Sequence, residues 1–309
     1  MIRLSIVVLL IFFAVPCFAQ QDAQYTQYMF NTQIINPAYT GSRGVLSTFG
    51  SYRTQWIGFD GAPVTTSFSI NSPVDLSPIG LGISFSKDVI GPASSSNLSA
   101  SMSYAIQTSE TYKLSFGILA NLNFLYIDYA KLNVYNTNDS SFLTNLDSKY
   151  SPNFGVGIYF RSQKNYFGIA IPRLLEATYF TNGTNTTNSI AVLKEKSHYY
   201  LIMGTVLNVS DEVQFKPATL IKIVSGAPIQ LDISANFKLY DHFILGLAYR
   251  WEIATSALAG FQISDSWFVG YSYDRETTQL ANFNSGSHEI FLRYEFKKKY
   301  SNITSPRFF

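Results

Sequence analysis

The stretch "IQLDISANFKL", Ile229 to Leu239, decides how this chain folds. Ile229, Leu231, Ile233, Ala235, Phe237 and Leu239 alternate without a break with Gln230, Asp232, Ser234, Asn236 and Lys238. Successive side chains of a strand point to opposite faces, so this period of two describes a strand with one apolar and one polar face. The same pattern recurs outward from it. In "LSFGILANLNFLY", Phe116, Ile118, Ala120, Leu122 and Phe124 share a face opposite Ser115, Gly117, Asn121 and Asn123. In "EIFLRYEF", Ile290, Leu292, Tyr294 and Phe296 alternate with Glu289, Arg293 and Glu295. The chain as a whole reads as about 14 strands with turn signals between them. The expected spans are 44–57, 64–74, 79–88, 95–107, 112–128, 153–162, 165–173, 197–209, 212–224, 228–240, 242–252, 256–264, 267–275 and 288–297.

Alternation of this kind also fits a soluble sandwich, whose apolar face is buried. A membrane barrel inverts the arrangement, with apolar side chains toward lipid and polar ones toward the lumen. Four features favour the barrel. Charged residues keep out of phase with the apolar set: Arg161, Lys216, Lys222, Asp232, Lys238, Arg250, Glu252, Asp274, Glu289, Arg293 and Glu295. Many strands are long enough to cross a bilayer at a tilt, which takes about 9–11 residues. The strand number is even, which returns both ends of the barrel to one side. Short connections ("TSET", "SQK", "VSD", "YD", "SDS" and the longer "NSPVDLSP") alternate with an opposite set that includes the long 129–152, 173–196 and 275–287, the asymmetry of periplasmic turns against outer loops. The fold expected is therefore an all-β, transmembrane antiparallel up-and-down barrel. Trp56, Tyr129, Trp251, Trp267 and Tyr300 stand at strand ends, where aromatic girdles form.

Composition agrees. Only 14% of the 309 residues are charged, against roughly 25% in ordinary soluble domains. Aromatic residues make up 16%, with 21 Tyr and 25 Phe, and the net charge is +2. That charge gives no nucleic-acid footprint. Residues 1–19 read as a secretory signal: Arg3, the apolar run Leu4 to Val15, and a small-residue cleavage site before Gln20. Lipidation at Cys17 is the alternative, though Pro16 makes a poor lipobox. Cys17 is the one cysteine, so if it leaves with the signal the mature chain carries no disulfide or thiolate chemistry. The organisation expected is a signal (1–19), an N-terminal periplasmic or plug segment (20–43), the barrel (44–297) and a periplasmic tail (298–309), with "KKKY" (Lys297–Tyr300) read as a solvated terminus after the last strand.

Chemistry-bearing motifs are few. The G-x-G of Gly80–Gly82 and of Gly155–Gly157 lies inside strands rather than between a strand and a helix, so it reads as small lumen-facing residues and not a dinucleotide site. His198, His242 and His288 are far apart and form no spacing for a Ser–His–acid set or a metal. No catalytic residue, metal site, cofactor or small-molecule substrate is expected. The inward charges carry both signs, whereas selective pores often carry one sign in rings. A porin-like channel for small solutes remains the alternative reading.

The stretch "QYTQYMFNTQIINPAYTGSRG", Gln24 to Gly44, departs from the strand pattern. Tyr25, Tyr28, Met29, Thr32 and Ile35 recur at helical spacing, with Asp22 as N-cap. Pro37 disfavours helix at Asn36 and ends it by about Ile35. The expectation is a short helix on the periplasmic side, tucked against or into the barrel mouth. Its amides and tyrosine hydroxyls would meet lumen residues such as Arg293 or Glu295.

This stretch, followed by "YRTQWIGFDGAPVTTSFSINSPV", resembles the N-terminal signature of the PorP/SprF family. "GLGISFSKDVIGP", "LSFGILANLN", "PNFGVGIYFRS", "IPRLLE" and the closing "SPRFF" resemble its later blocks in order, so the resemblance runs from about Gln21 to Phe309. "SKDVIGP" stands where Asn-Asp-Lys-Ile-Gly-Pro is more usual. The resemblance implies an outer-membrane protein of Bacteroidetes, non-catalytic, both termini periplasmic. It implies partners among periplasmic ring or peptidoglycan-linked components of type IX secretion and gliding, and a large secreted adhesin-like cargo. Tyr25, Tyr28, Met29, Phe30, Asn36, Pro37 and Tyr39 are the residues of the opening signature expected to serve partner docking or plugging. Arg161, Asp232, Lys238, Arg250, Glu252, Glu289, Arg293 and Glu295 are the polar residues expected to line the lumen.

Overall fold

The structure is a computed structural model that describes residues 24–132, 146–176 and 195–296. The expected signal, Cys17, Asp22, the tail from 298 onward and the middles of two loops lie outside these residues. The strands are β1 (Leu46–Thr54), β2 (Val64–Pro73), β3 (Ile79–Ile90), β4 (Ala93–Gln107), β5 (Lys113–Ile127), β6 (Leu146–Arg161), β7 (Asn165–Ile171), β8 (His198–Thr205, continued by Leu207–Asn208), β9 (Val213–Val224), β10 (Gln230–Leu239), β11 (Phe243–Arg250), β12 (Ala254–Gln262), β13 (Trp267–Glu276) and β14 (Ser287–Phe296). Each pairs antiparallel with its sequence neighbours, and β14 closes on β1 through a register running from Leu46↔Phe296 to Thr54↔His288. The result is a closed antiparallel barrel of 14 strands. Closure leaves no unpaired edge, which is what lets a sheet sit in hydrocarbon.

The burial pattern separates the two readings that periodicity left open. Along β4, Ser99, Ser101 and Ser103 are buried while Leu98, Met102 and Tyr104 are exposed. Along β5, Phe116, Ile118 and Phe124 are exposed while Ser115, Asn121 and Asn123 are buried. Along β14, Ile290, Leu292 and Phe296 face out, and Glu289, Arg293 and Glu295 face in. A soluble sandwich puts its apolar face inside; this barrel puts it outside, as lipid demands. No helix among the described residues is long and apolar enough to cross a membrane; the strands do the crossing.

The connections at one end are 74–78, 108–112, 162–164, 209–212, 240–242 and 263–266, all short turns. At the other end 55–63, 128–145, 172–197 and 277–286 are longer, alongside the tight 91–92, 225–229 and 251–253. We call these the turn end and the loop end. Trp267 lies at the turn end and Trp251 at the loop end, both exposed. Strand spans follow the alternation closely except in β6, which begins at Leu146 rather than 153. Residues 146–152 are mostly polar, with Leu146 and Tyr150 set apart and Pro152 at the end, so they carry no sustained apolar alternation. They are drawn into the sheet by pairing with the end of β5, with a bulge between Leu125 and Ile127.

Even strand parity brings Leu46 and Phe296 to the same, turn end. Chain ends on one side were expected from this. Gln24, however, sits at the loop end, because residues 24–44 run back through the barrel. The described ends of the chain therefore lie at opposite mouths.

Candidate functional site

The segment 24–44 occupies the interior. Tyr28, Met29, Phe30, Asn31, Thr32, Gln33, Ile35, Asn36, Ala38, Tyr39, Thr40, Ser42 and Arg43 are all buried. The expected helix is absent. In its place are single turns and the 3-10 turns Thr32–Ile34 and Pro37–Tyr39. The reason lies in the surroundings. A helix with one apolar stripe needs one apolar partner, whereas this segment is enclosed on every side by a wall of mixed chemistry. Its backbone is satisfied by local turns (Phe30 N–H to Gln27 O, Ile35 N–H to Thr32 O) and by Asn36, whose side chain accepts from Ala38 N–H at 2.9 Å. Pro37 keeps Asn36 extended (φ −139°, ψ 107°), as the sequence implies.

Three sets of contacts fix the segment along the barrel. At the loop end, Arg53 of β1 gathers two carboxylates around Thr26. Its guanidinium donates to Asp274 Oδ2 at 2.7 Å, Glu289 Oε2 at 3.3 Å and Thr26 Oγ1 at 2.8 Å. Thr26 in turn donates its hydroxyl to Asp274 at 2.5 Å and its backbone N–H to Glu289 at 3.0 Å. Arg53, Asp274 and Glu289 are each at most 2% exposed, so the cluster is a buried, hydrogen-bonded charge network rather than a screened surface pair. Beside it Arg250 pairs with Asp232 at 3.2 Å. With its amide oriented toward them, Gln24 accepts from Arg250 Nη2 at 3.1 Å and Gln230 Nε2 at 2.8 Å.

Midway, amides and hydroxyls of the segment pair with the polar wall. Asn71 donates to Gln33 at 2.8 Å, Ser69 to Asn31 at 2.9 Å, Asn36 to the carbonyl of Ile158 at 3.1 Å and Thr40 to Ser101 at 2.8 Å. Phe30 wedges between Phe268 and Phe291, with ring centroids at 5.4 and 4.4 Å, and Tyr39 meets Tyr159 edge-on at 5.5 Å. At the turn end Arg43 pairs with Glu295, beside Arg293, and Arg161 donates to the carbonyl of Ser42 at 2.7 Å. The chain then turns at Gly41 and Gly44 into β1.

The wall is shaped to this segment. A Cβ at Gly117 would overlap the backbone of Pro37 and Ala38, and one at Gly157 would overlap the Asn36 side chain. At Gly117 backbone meets backbone and nothing flexible can give way, so the position admits the segment only as glycine; at Gly157 a side chain would displace the Asn36 amide from its bonds to Ala38 and Ile158. The interior is thereby divided. A cavity of about 300 Å³ remains at the loop end and one of about 640 Å³ at the turn end, and they share no lining residue.

Among the residues anticipated for the lumen, Asp232, Arg250, Glu289, Arg293 and Glu295 are buried against the segment. Arg161 is half-buried and reaches it at Ser42. Lys238 keeps the inward phase of β10 and is half-buried near the turn end, while Glu252 lies elsewhere. Glu252 is exposed in the turn 251–253, with a positive φ of 58°, because the alternation stops at Arg250. Lys238 bonds Asp241 in the following turn at 2.6 Å and holds its carboxyl below the usual carboxylate range. Tyr25, Tyr28, Met29, Phe30, Asn36, Pro37 and Tyr39 all lie in the enclosed segment, from loop end to turn end rather than at one mouth. Sequence reasoning passed over Thr26, Arg43 and Arg53. The signal for Arg53 was present: it is in phase with Ser47, Phe49 and Ser51 on the inward face of β1. The histidines stay apart, with His198 and His288 at the loop end in strands and His242 in a turn. Among the described residues no group of three or more His, Cys, Asp or Glu is placed to hold a metal.

Comparison with known proteins places this arrangement. The family model for the type IX secretion system membrane protein PorP/SprF matches residues 17–294. No curated protein matches. Among solved structures, a Pseudomonas aeruginosa FadL homologue is similar at 11% identity and a TM-score of 0.51, over 85% of this chain and 93% of that one. The CymD monoaromatic hydrocarbon channel is similar at 12% identity and a TM-score of 0.50, over 89% and 94%. At such identities the likeness is one of fold.

Proposed function

The chain belongs to the PorP/SprF family of type IX secretion system membrane proteins, and from that membership we propose that it is a non-catalytic scaffold of the outer membrane, not a solute channel. The observation that carries this reading is the filled lumen. Residues 26–43 are almost all buried along the barrel, and the segment is tied to the wall at both ends and seated against Gly117, where a Cβ would strike its backbone. A diffusion pore needs a continuous polar path; here the interior is split into separate cavities. The mixed signs of the inward charges have a use in this reading: they pair with one another and with the segment.

In the orientation usual for such barrels the turn end faces the periplasm. The turn end then docks periplasmic components of the secretion or gliding machinery, while the loop end and its long connections face outward toward a large secreted, adhesin-like cargo. The segment 24–44 serves as a permanent plug that gives the barrel a fixed, closed shape for docking.

The test is made in the source bacterium. Deleting the gene is expected to strip one large protein from the cell surface while small-solute uptake stays unchanged. If that protein stays at normal levels and uptake of small solutes falls, the channel reading takes its place.

A further inference from the structure

The loop-end cavity has a chemistry that the scaffold role does not use. It is walled by β3, β4 and β5, by the start of β8 and by the inner segment. Its polar lining is dominated by neutral groups that both donate and accept: Ser84, Ser95, Asn97, Ser99, Asn121 and Asn123. The strand register sets them in a lattice, with Asn97 opposite Asn123 and Ser99 opposite Asn121. Several are already oriented by each other. Ser95 donates to Asn123 at 2.8 Å, and Ser84 and Ser99 share a 2.6 Å bond.

One group in the lattice is left over. The side-chain oxygen of Asn121 has no hydrogen-bond partner, and the residue is only 8% exposed. A buried acceptor without a donor is costly, and because Asn121 lines the cavity, a turn of its amide would bring that oxygen to a ligand hydroxyl. The charged residues that also line it, Asp88, Arg173, Glu195 and Lys196, are taken up locally: Thr65 donates to Asp88 at 2.5 Å and Lys196 lies 3.9 Å from Glu176. Arg173 donates to Glu195 at 2.8 Å, and Glu195 also accepts from Asn123 at 3.0 Å. Ile34 and Ile35 of the inner segment line the cavity, together with the aromatic residues Tyr25 and Tyr200. Its volume of about 300 Å³ equals roughly ten water molecules at about 30 Å³ each.

We propose that this cavity is a binding site for a short neutral saccharide that enters from the loop end. Sugar hydroxyls match amides and hydroxyls that donate and accept in turn, and a sugar ring packs its C–H face on tyrosine. A polypeptide end fits less well, because the charged residues of the lining are already met by neighbours and a charged terminus would find no partner of its own. The inference rests on the inner segment being seated in the lumen, as the plugged-barrel reading does, but not on the scaffold role itself.

The experiment uses the full-length protein purified in detergent micelles. A panel of neutral di- and trisaccharides (maltose, maltotriose, cellobiose, chitobiose) is titrated by calorimetry and saturation-transfer NMR, beside an anionic digalacturonate and an uncapped tripeptide. At least one neutral saccharide is expected to bind saturably. The variants Asn121→Leu and Asn97→Leu are each expected to weaken it at least about tenfold, the scale of one or two lost hydrogen bonds. Heat-modifiable gel migration identical to wild type shows that each variant is folded. Absence of binding across the panel, binding that both folded variants retain, or preference for the tripeptide or digalacturonate would overturn the assignment. Conductance is unaffected by any of these outcomes, so failure here is distinguishable from failure of the plugged-barrel reading.

Discussion

Replacing Arg53 by alanine tests the charge network that fastens the inner segment at the loop end. Arg53 is 2% exposed and meets Asp274 at 2.7 Å and Glu289 at 3.3 Å, with Thr26 held between them. Taking away the guanidinium strands two carboxylates in the interior. Breaking a buried pair in this way costs about 3–5 kcal/mol, whereas replacing all its members by neutral groups of similar size is often near neutral. Domains of a few hundred residues lose roughly 2–4 °C of Tm per kcal/mol, so Arg53→Ala should lower the midpoint of heat-modifiable migration by on the order of 10 °C. The triple variant Arg53→Met, Asp274→Asn, Glu289→Gln should recover most of that loss. A thiol placed at Thr26 should also react faster with a maleimide when Arg53 is alanine. An Arg53→Ala midpoint within about 2 °C of wild type would mean the carboxylates reach water and are not buried around Thr26. A triple variant as unstable as the single one would show that shape rather than charge is at stake.

Other consequences follow from the same contacts. Gly117→Val forces a side chain into the backbone of Pro37 and Ala38 and should cost about 1–3 kcal/mol or more by overpacking; Gly50→Ala, whose Cβ would have its nearest neighbour at 4.0 Å, should leave the midpoint unchanged in the same assay. Ile118→Arg puts a charge on the exposed apolar face of β5 and should destabilise insertion into vesicles by about 2–4 kcal/mol, read from urea titrations of folding into lipid. Thr40 and Ser101 touch through their hydroxyls at 2.8 Å, so Thr40→Cys with Ser101→Cys should form a disulfide on mild oxidation, seen by mass spectrometry as a link between their tryptic peptides.

Much of the barrel could be read from residues alone because lipid imposes the rule that strands obey. The alternation in Ile229–Leu239 and in β5 appears unchanged as out and in. What failed to show was structure set by enclosure. Tyr25, Tyr28, Met29, Thr32 and Ile35 have helical spacing, yet spacing reports a helix only when one face is apolar and the other is wet. Inside a barrel Gln27, Asn31 and Gln33 are as buried as Phe30, and the wall, not the period, chooses the turns. The phase of Arg53 with Ser47, Phe49 and Ser51 marks it as inward, but not as the centre of a charge network, because Asp274 and Glu289 are brought beside it from more than two hundred residues away. Gly117 and Gly157 read as small inward residues; that they are seats for Ala38 and Asn36 depends on where the segment runs. Residues 146–152 joined β6 through pairing that no apolar pattern announces.

Single-channel recording on the purified protein in a planar bilayer tests the plugged barrel most directly. The intact chain should be electrically silent, and a variant lacking residues 24–40 should open stable conductance steps in the same membrane. Steady conductance from the intact chain, equal to that of the deletion variant, would contradict the account.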